Sequence, residues 1–227
     1  MLATATSLAA AAWEWDVLHA INCGWSGPLG DAVFFTLQNA KVGIVVMLVG
    51  IGLVWDGDRR KGLRALMTAL VAYGVCMLIA DVAWKVHHRA RPGRAAEVVL
   101  KTESEIATCA AQPDAVVVRK HVSRRSGMPS RHSLSAGVFA ATMLLASTPI
   151  GIIAMIYAVL VGIARIYSGV HWPSDVIVGL TVGSIVGTLI WRMTPGVFGL
   201  IGKRHLVEDP GPSPESTEVA TAKDAAG

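Results

Sequence analysis

The chain is short of charge. Only 16% of its 227 residues are Asp, Glu, Lys or Arg, against about 25% in an average soluble domain, so it lacks the polar surface that a water-soluble globule needs. Aromatic residues are sparse at 6%, which leaves Ala, Val, Leu, Ile and 23 Gly to dominate a 53% hydrophobic composition. That palette suits helices packed closely inside a bilayer. The three cysteines, Cys23, Cys76 and Cys109, form no CxxC pair, which argues against a zinc site, a redox motif and a disulfide framework. The first twelve residues lack the basic start and cleavage pattern of a secretory signal peptide. What charge there is, is concentrated: of the 20 Lys and Arg, ten fall between residues 85 and 131. With a formal charge of +4, that clustering points to an anionic ligand.

Charge-free stretches cover residues 42–55, 65–80, 176–191 and 133–164, the last 32 residues long. As one straight helix it would measure about 48 Å, well beyond a hydrocarbon core of about 30 Å. Thr148-Pro149 supplies a break, because proline removes an intrahelical donor and biases the preceding residue away from helix. Two short antiparallel spans, 131–147 and 149–166, follow. The expected fold is therefore an all-α, polytopic membrane helix bundle of five transmembrane helices plus an N-terminal interfacial helix within residues 8–38. A sixth span in that region is left open. Residues 1–206 read as one membrane-embedded domain and 207–227, with Pro210, Pro212 and Pro214, as a disordered tail. Gly179, Gly183 and Gly187 at four-residue spacing are expected to let another helix approach.

With the chain reversed at Pro149, alternation puts three charged islands on one face. The first runs from Lys85 to Arg91-Pro92. Asp81, one helical turn before Lys85, is placed to orient its ammonium, although such a cluster is also ordinary topology charge. The tandem His87-His88 points about 100° apart on a helix, which disfavours a metal site. The second island is Pro129-Ser130-Arg131-His132, entering an apolar helix with Ser130 as N-cap and free N–H groups facing forward, an arrangement that favours phosphate. The third spans residues 165–175. Pro173 suits the first turn of a helix, so Asp175 can accept from one nitrogen of His171 and leave the other nucleophilic. Arg165 can donate a bidentate fork to phosphate. His121, among Arg119, Lys120, Arg124 and Arg125, reads as part of a solvated basic loop able to steer anionic headgroups.

Taken together, the islands resemble the type 2 phosphatidic acid phosphatase family, whose pattern is Lys then Arg-Pro, Pro-Ser-Gly-His, and Arg, five residues, His, three residues, Asp. Arg165, His171 and Asp175 match the third motif in full. Pro129-Ser130-Arg131-His132 carries Arg131 where the family has Gly, and five residues separate Lys85 from Arg91 where the family has six. One missing residue turns Lys85 by about 100° on an ideal helix.

The resemblance implies that His171 attacks phosphorus to give a phosphohistidine, that His132 protonates the leaving oxygen and then activates water, and that Asp175 holds His171. It puts Lys85, Arg91, Ser130 and Arg165 on the non-bridging oxygens, with Arg131 reaching a second phosphate or a headgroup, or else pointing away. Fixed cations then stabilise the charge that Mg²⁺ stabilises elsewhere, so neither a metal nor any other cofactor is expected. The expected substrate is a lipid phosphate at headgroup level: an isoprenoid pyrophosphate, phosphatidate, phosphatidylglycerophosphate or a lipid A phosphate, with a slight preference for a pyrophosphate. A phosphotransferase of the same family, a vanadate-dependent haloperoxidase and a non-enzymatic transporter are the alternatives. The resemblance also implies a bacterial inner membrane with the site facing the periplasm or outside, where Cys23 and Cys109 would share an oxidising compartment.

Overall fold

The computed structural model describes residues 10–100, 109, 111, 112 and 115–207. Asp58 sits between two apolar runs and serves both. Its N–H donates to the Val54 carbonyl, closing α3 (Ala40–Gly57), and its carboxylate accepts from the N–H groups of Arg60 and Lys61, opening α4 (Arg59–Val86). Ahead of this hairpin lie α1 (Ala12–Asn22) and α2 (Pro28–Leu37). The stretch expected to hold one interfacial helix thus folds as two short ones. Beyond α4 come the single turn α5 (Pro92–Ala95), then β1 (Val98–Leu100) and β2 (Ala115–Val117), which pair in parallel with Val98 opposite Ala115. This ribbon was not expected in an all-α chain.

The reversal expected at Thr148-Pro149 is present. α6 (Arg131–Ala146) ends at the extended Ser147, and α7 (Thr148–Tyr167) begins with Pro149 in its first turn. α8 (Pro173–Val207) closes the fold. Among the described residues, four helices are long and apolar enough to cross a membrane: α3, α4, α7 and α8 over Pro173–Thr194. α6 has 16 residues, fewer than the roughly 20 a straight span needs, and it is the buried centre of the bundle. Phe139, Ala140, Met143 and Ala146 pack there against Ile51, Val54, Ala65 and Ala158. The chain divides into Met1–Trp191 and Arg192–Gly227, and the site described below lies in the first unit. Apart from Val207, which ends α8, the tail expected at 207–227 falls outside the described residues.

The glycine stripe does the packing expected of it. A Cβ on Gly183 would lie 2.1 Å from the Leu134 carbonyl oxygen, and one on Gly179 would meet the Ser133 side chain at 2.8 Å. Only glycine lets α8 come this close to α6, and that approach sets the start of α6 against the start of α8. At the same end of the bundle, a disulfide joins Cys23 to Cys109. Next to it, the Asn22 side chain donates to the Val117 and Tyr167 carbonyls and accepts from the Val117 N–H.

Candidate active site

Backbone bonds knit the three islands together. The Ser130 N–H donates to the Asp175 carbonyl at 3.2 Å, and the Gly127 N–H to the Arg89 carbonyl at 3.1 Å. Arg91 spreads its guanidinium over the carbonyls of Arg125, Ser126 and Val170 at 3.2, 3.3 and 3.0 Å. The Trp172 indole donates to the Ala90 carbonyl at 2.8 Å. Between Arg165 and His171 the chain turns through Gly169 at φ +69°, a left-handed conformation that side chains resist. A Cβ there would also meet the Val117 carbonyl oxygen at 2.7 Å. Pro173 opens α8, and Asp175 in its first turn accepts from the Trp172 N–H at 2.9 Å.

His171 is 3% exposed and Asp175 fully buried. Arg91 Nη1 lies 3.0 Å from His171 Nε2. Guanidinium nitrogens only donate, so Nε2 is the acceptor and the ring proton belongs on Nδ1. Nδ1 faces Asp175 Oδ2 at 3.5 Å, near enough to feel its charge and too long for a full hydrogen bond. Burial pushes the His171 imidazole down to about 4, with Arg91 and Arg165 adding to the effect and Asp175 opposing it. At neutral pH the ring is therefore uncharged, with a lone pair aimed at a cation and away from its carboxylate.

Around it stand further basic groups, of which His132 is pushed down to about 3, by burial first and by the neighbouring cations after it, and is uncharged at neutral pH. Arg165 is 8% exposed and donates to Gln38 Oε1 at 2.9 Å, an acceptor shared with the Ser168 hydroxyl. His132 lies within electrostatic range of Arg165, His171, Lys120 and Arg91. Lys120 is brought below its ordinary value by burial and by Arg165, and burial lowers Arg91, with Asp175 opposing. Buried cations gathered at one place favour an anion among them. Ser130 caps α6 as expected, its Oγ accepting from the Ser133 N–H at 3.4 Å and from the Ser133 hydroxyl at 3.0 Å.

Lys85 and Arg131 lie apart from this cluster. Lys85 is exposed in a cavity of about 620 Å³ lined also by Asp81, Trp84, His88, Arg124 and Arg125. Asp81 pairs with Arg131 and not, as expected, with Lys85. Arg131 stacks 4.0 Å over the Trp84 ring. α4 ends at Val86 and residues 87–91 are not helical, so the missing residue before Arg91 sets no fixed helical turn of Lys85.

Three contributors went unread in the sequence. Arg89, between the two expected cations of the first island, is 6% exposed and bonds Asp175 Oδ1 at 3.1 Å and Glu14 Oε2 at 2.5 Å. Glu14, expected at a membrane surface, is 3% exposed. Gln38 arrives from the end of α2. Arg119, placed in a solvated loop by the sequence, instead clamps the carbonyls of Asn22 and Tyr167 at 3.0 and 2.9 Å and pairs with Asp31 at 3.1 Å. Glu14 accepts the Ala11 N–H at 3.0 Å at the start of α1, but with Ala11 in place of Ser or Thr at the N-cap the residues carry no capping-box signature. Nothing local identifies the partner of Arg89.

Comparison with known proteins places the chain in a family and gives its fold relatives. The family model of the PAP2 superfamily matches residues 65–198. An undecaprenyl-diphosphatase of Sulfolobus acidocaldarius is 47% identical over 62 residues, 27% of this chain and 30% of that protein. Undecaprenyl-diphosphatase BcrC of Bacillus subtilis is 35% identical over 69 residues, 30% of this chain and 36% of that protein. The chain thus spans about a third of the length of these relatives. Among solved structures, LpxE of Aquifex aeolicus superposes with a TM-score of 0.61 at 20% identity, over 82% of this chain and 99% of that one. A PAP2-type phosphatidylglycerolphosphate phosphatase from Bacillus subtilis does so at 0.56 and 21% identity, over 82% and 86%. These two likenesses establish the fold.

Proposed function

Because this chain belongs to the PAP2 superfamily, we propose that it is a membrane-embedded lipid phosphatase acting through a phosphohistidine, with an isoprenoid diphosphate as its substrate. The observation that carries the reading is the state of His171: buried, neutral, its Nε2 lone pair turned toward Arg91 and its Nδ1 proton toward Asp175. A terminal phosphate entering this pocket takes over the Arg91 donor. Nε2 then attacks phosphorus in line, and the bond from phosphorus to the bridging oxygen breaks. The negative charge of the entering diphosphate raises His132, which takes up a proton with the substrate; it gives that proton to the bridging oxygen, and the lipid monophosphate leaves. Next, His132 takes a proton from water, the water oxygen attacks the phosphoryl group, and the P–N bond breaks to return His171 and free phosphate. Arg91, Arg165 and the Ser130 end of α6 stabilise the equatorial oxygens throughout, as phosphoryl transfer requires. The cations present do this without a resident metal. Lys85 and Arg131, set in their own cavity, act on the lipid side of the substrate.

The isoprenoid preference is supported by the short matches to two undecaprenyl-diphosphatases. We place the site on the outer face of a bacterial inner membrane, which the Cys23–Cys109 disulfide at the motif end of the bundle supports, since disulfides persist in oxidising compartments. The test offers undecaprenyl diphosphate, phosphatidate and phosphatidylglycerophosphate, with EDTA, to purified wild type and His171→Ala. Metal-free phosphate release, fastest on the diphosphate and reduced by about 10³-fold or more in the variant, is expected. Release that survives the substitution overturns the mechanism, and a faster monophosphate overturns the substrate class.

A further inference from the structure

Asp175 is held from the side opposite His171 by a buried chain of charge. Its Oδ1 accepts from Arg89 Nη1 at 3.1 Å, while Oδ2 takes the Trp172 N–H at 2.9 Å and faces His171 Nδ1 at 3.5 Å. Arg89 in turn donates to Glu14 Oε2 and to the Ser174 hydroxyl, each at 2.5 Å, and the Ser174 hydroxyl donates to Glu14 Oε1 at 2.5 Å. Glu14, Arg89 and Asp175 are 3%, 6% and 0% exposed. They come from α1, from the segment after α4 and from α8.

Ion pairs this deeply buried cost desolvation and are weak contributors to stability, so the arrangement calls for another reason. Nucleophilic attack turns the His171 ring into a cation, and the carboxylate beyond Nδ1 must be ionised and correctly aimed when that charge appears. A guanidinium bonded to Oδ1 holds the Asp175 carboxylate and stops it rotating away from Nδ1. Glu14 and Ser174 stop the guanidinium moving, because Glu14 grips both it and the first turn of α8. Partners behind a reactive group commonly matter as much as its direct neighbours.

We propose that Arg89, locked by Glu14 and Ser174, is a positioning residue that fixes the Asp175 carboxylate for His171. It touches no substrate, and its effect falls on the chemical step. The inference rests on the phosphatase reading, and wild-type turnover in the same assay separates failure of that reading from failure of this one.

The experiment compares wild type, Glu14→Gln, Arg89→Gln and the double variant on a lipid diphosphate, measuring kcat and KM across pH. Arg89→Gln is expected to lower kcat about 10- to 100-fold with KM unchanged within about twofold. It should also move the acid limb of the kcat/KM profile upward. The charged and titratable groups facing His171 are Arg91 from the loop, His132 from α6, Arg165 from α7 and Asp175 from α8. None of them is altered, so removing the Arg89 cation leaves the Asp175 charge less compensated beside His171 and favours the protonated ring, while the carboxylate is no longer held in its orientation. Glu14→Gln keeps the cation and should leave the acid limb in place. The double variant removes both charges and permits an amide pair, so it relieves any folding defect of the single one. It should stay slow with a raised limb. Wild-type kcat in Arg89→Gln, a loss confined to KM, or recovery of rate and limb in the double variant would each reduce Arg89 to a structural part.

Discussion

Two cationic clusters share one end of the bundle and are built in opposite ways. Around His171, Arg91 and Arg165 are buried and bonded to named acceptors, and the glycine stripe of α8 pulls the surrounding segments together. Around Trp84, Lys85 and Arg124 are exposed, and Arg131 spends its charge on Asp81. Charges of one sign do different work in these settings. A buried guanidinium acts on phosphate through a medium of low dielectric, whereas an exposed ammonium is weakened by water and salt. Placement, more than the number of positive charges, separates a reaction centre from a surface that attracts.

The sharpest way to break this contrast is to remove His132, the proposed proton donor of the buried cluster. His132→Ala is expected to lower kcat on a lipid diphosphate by about 10²–10⁴-fold. An aryl phosphate whose leaving group needs no proton should lose far less. Equal losses on both substrates would take His132 out of the acid role and leave the cluster with only its electrostatics. Arg91→Ala follows, with kcat/KM reduced by about 10²–10³-fold, the usual loss for one donor to a developing oxyanion.

A smaller effect appears in the pH profile. Burial holds His171 down to about 4, while a free imidazole titrates near 6.5. With the neutral ring as the proposed nucleophile of the free enzyme, its supply stays full as pH falls through 6 and fails only toward 4. An acid limb of kcat/KM near 6.5 would mean that water reaches the ring and the pocket is more open than its burial indicates. Activity that persists at pH 5 keeps the two clusters distinct.

Much of this arrangement was legible in the residues. The third motif gave His171, Asp175 and Arg165 because proline, histidine and aspartate around a helix start act locally, within a turn of chain. The reversal at Thr148-Pro149 and the glycine stripe were legible for the same reason. Arg89, Glu14 and Gln38 were not, since each takes its meaning from a partner far away in sequence: Glu14 meets Ser174 and Arg89, and Gln38 meets Arg165. A charged residue bound for the interior looks the same, as text, as one bound for a membrane surface. Lys85 shows the converse. Its motif was nearly present, yet its side chain is exposed in a cavity beside Trp84 and Arg124, a placement that nothing local in the residues shows.

The smallest expected effect tests that last point most directly. If Lys85 belongs to the outer cavity, Lys85→Ala should raise KM by no more than about tenfold in dilute buffer, leave kcat unchanged, and become indistinguishable from wild type near 0.5 M salt. Added salt shortens the screening length from about 10 Å at 0.1 M to about 3 Å at 1 M, and an exposed ammonium attracting a headgroup loses its reach accordingly. Arg91→Ala should be equally damaging at both salt concentrations, because Arg91 is only 6% exposed and screening ions do not enter its site. A Lys85→Ala variant that lost kcat, and lost it equally at high salt, would mean that the ammonium turns inward once lipid is bound. The two clusters would then close into one around the substrate.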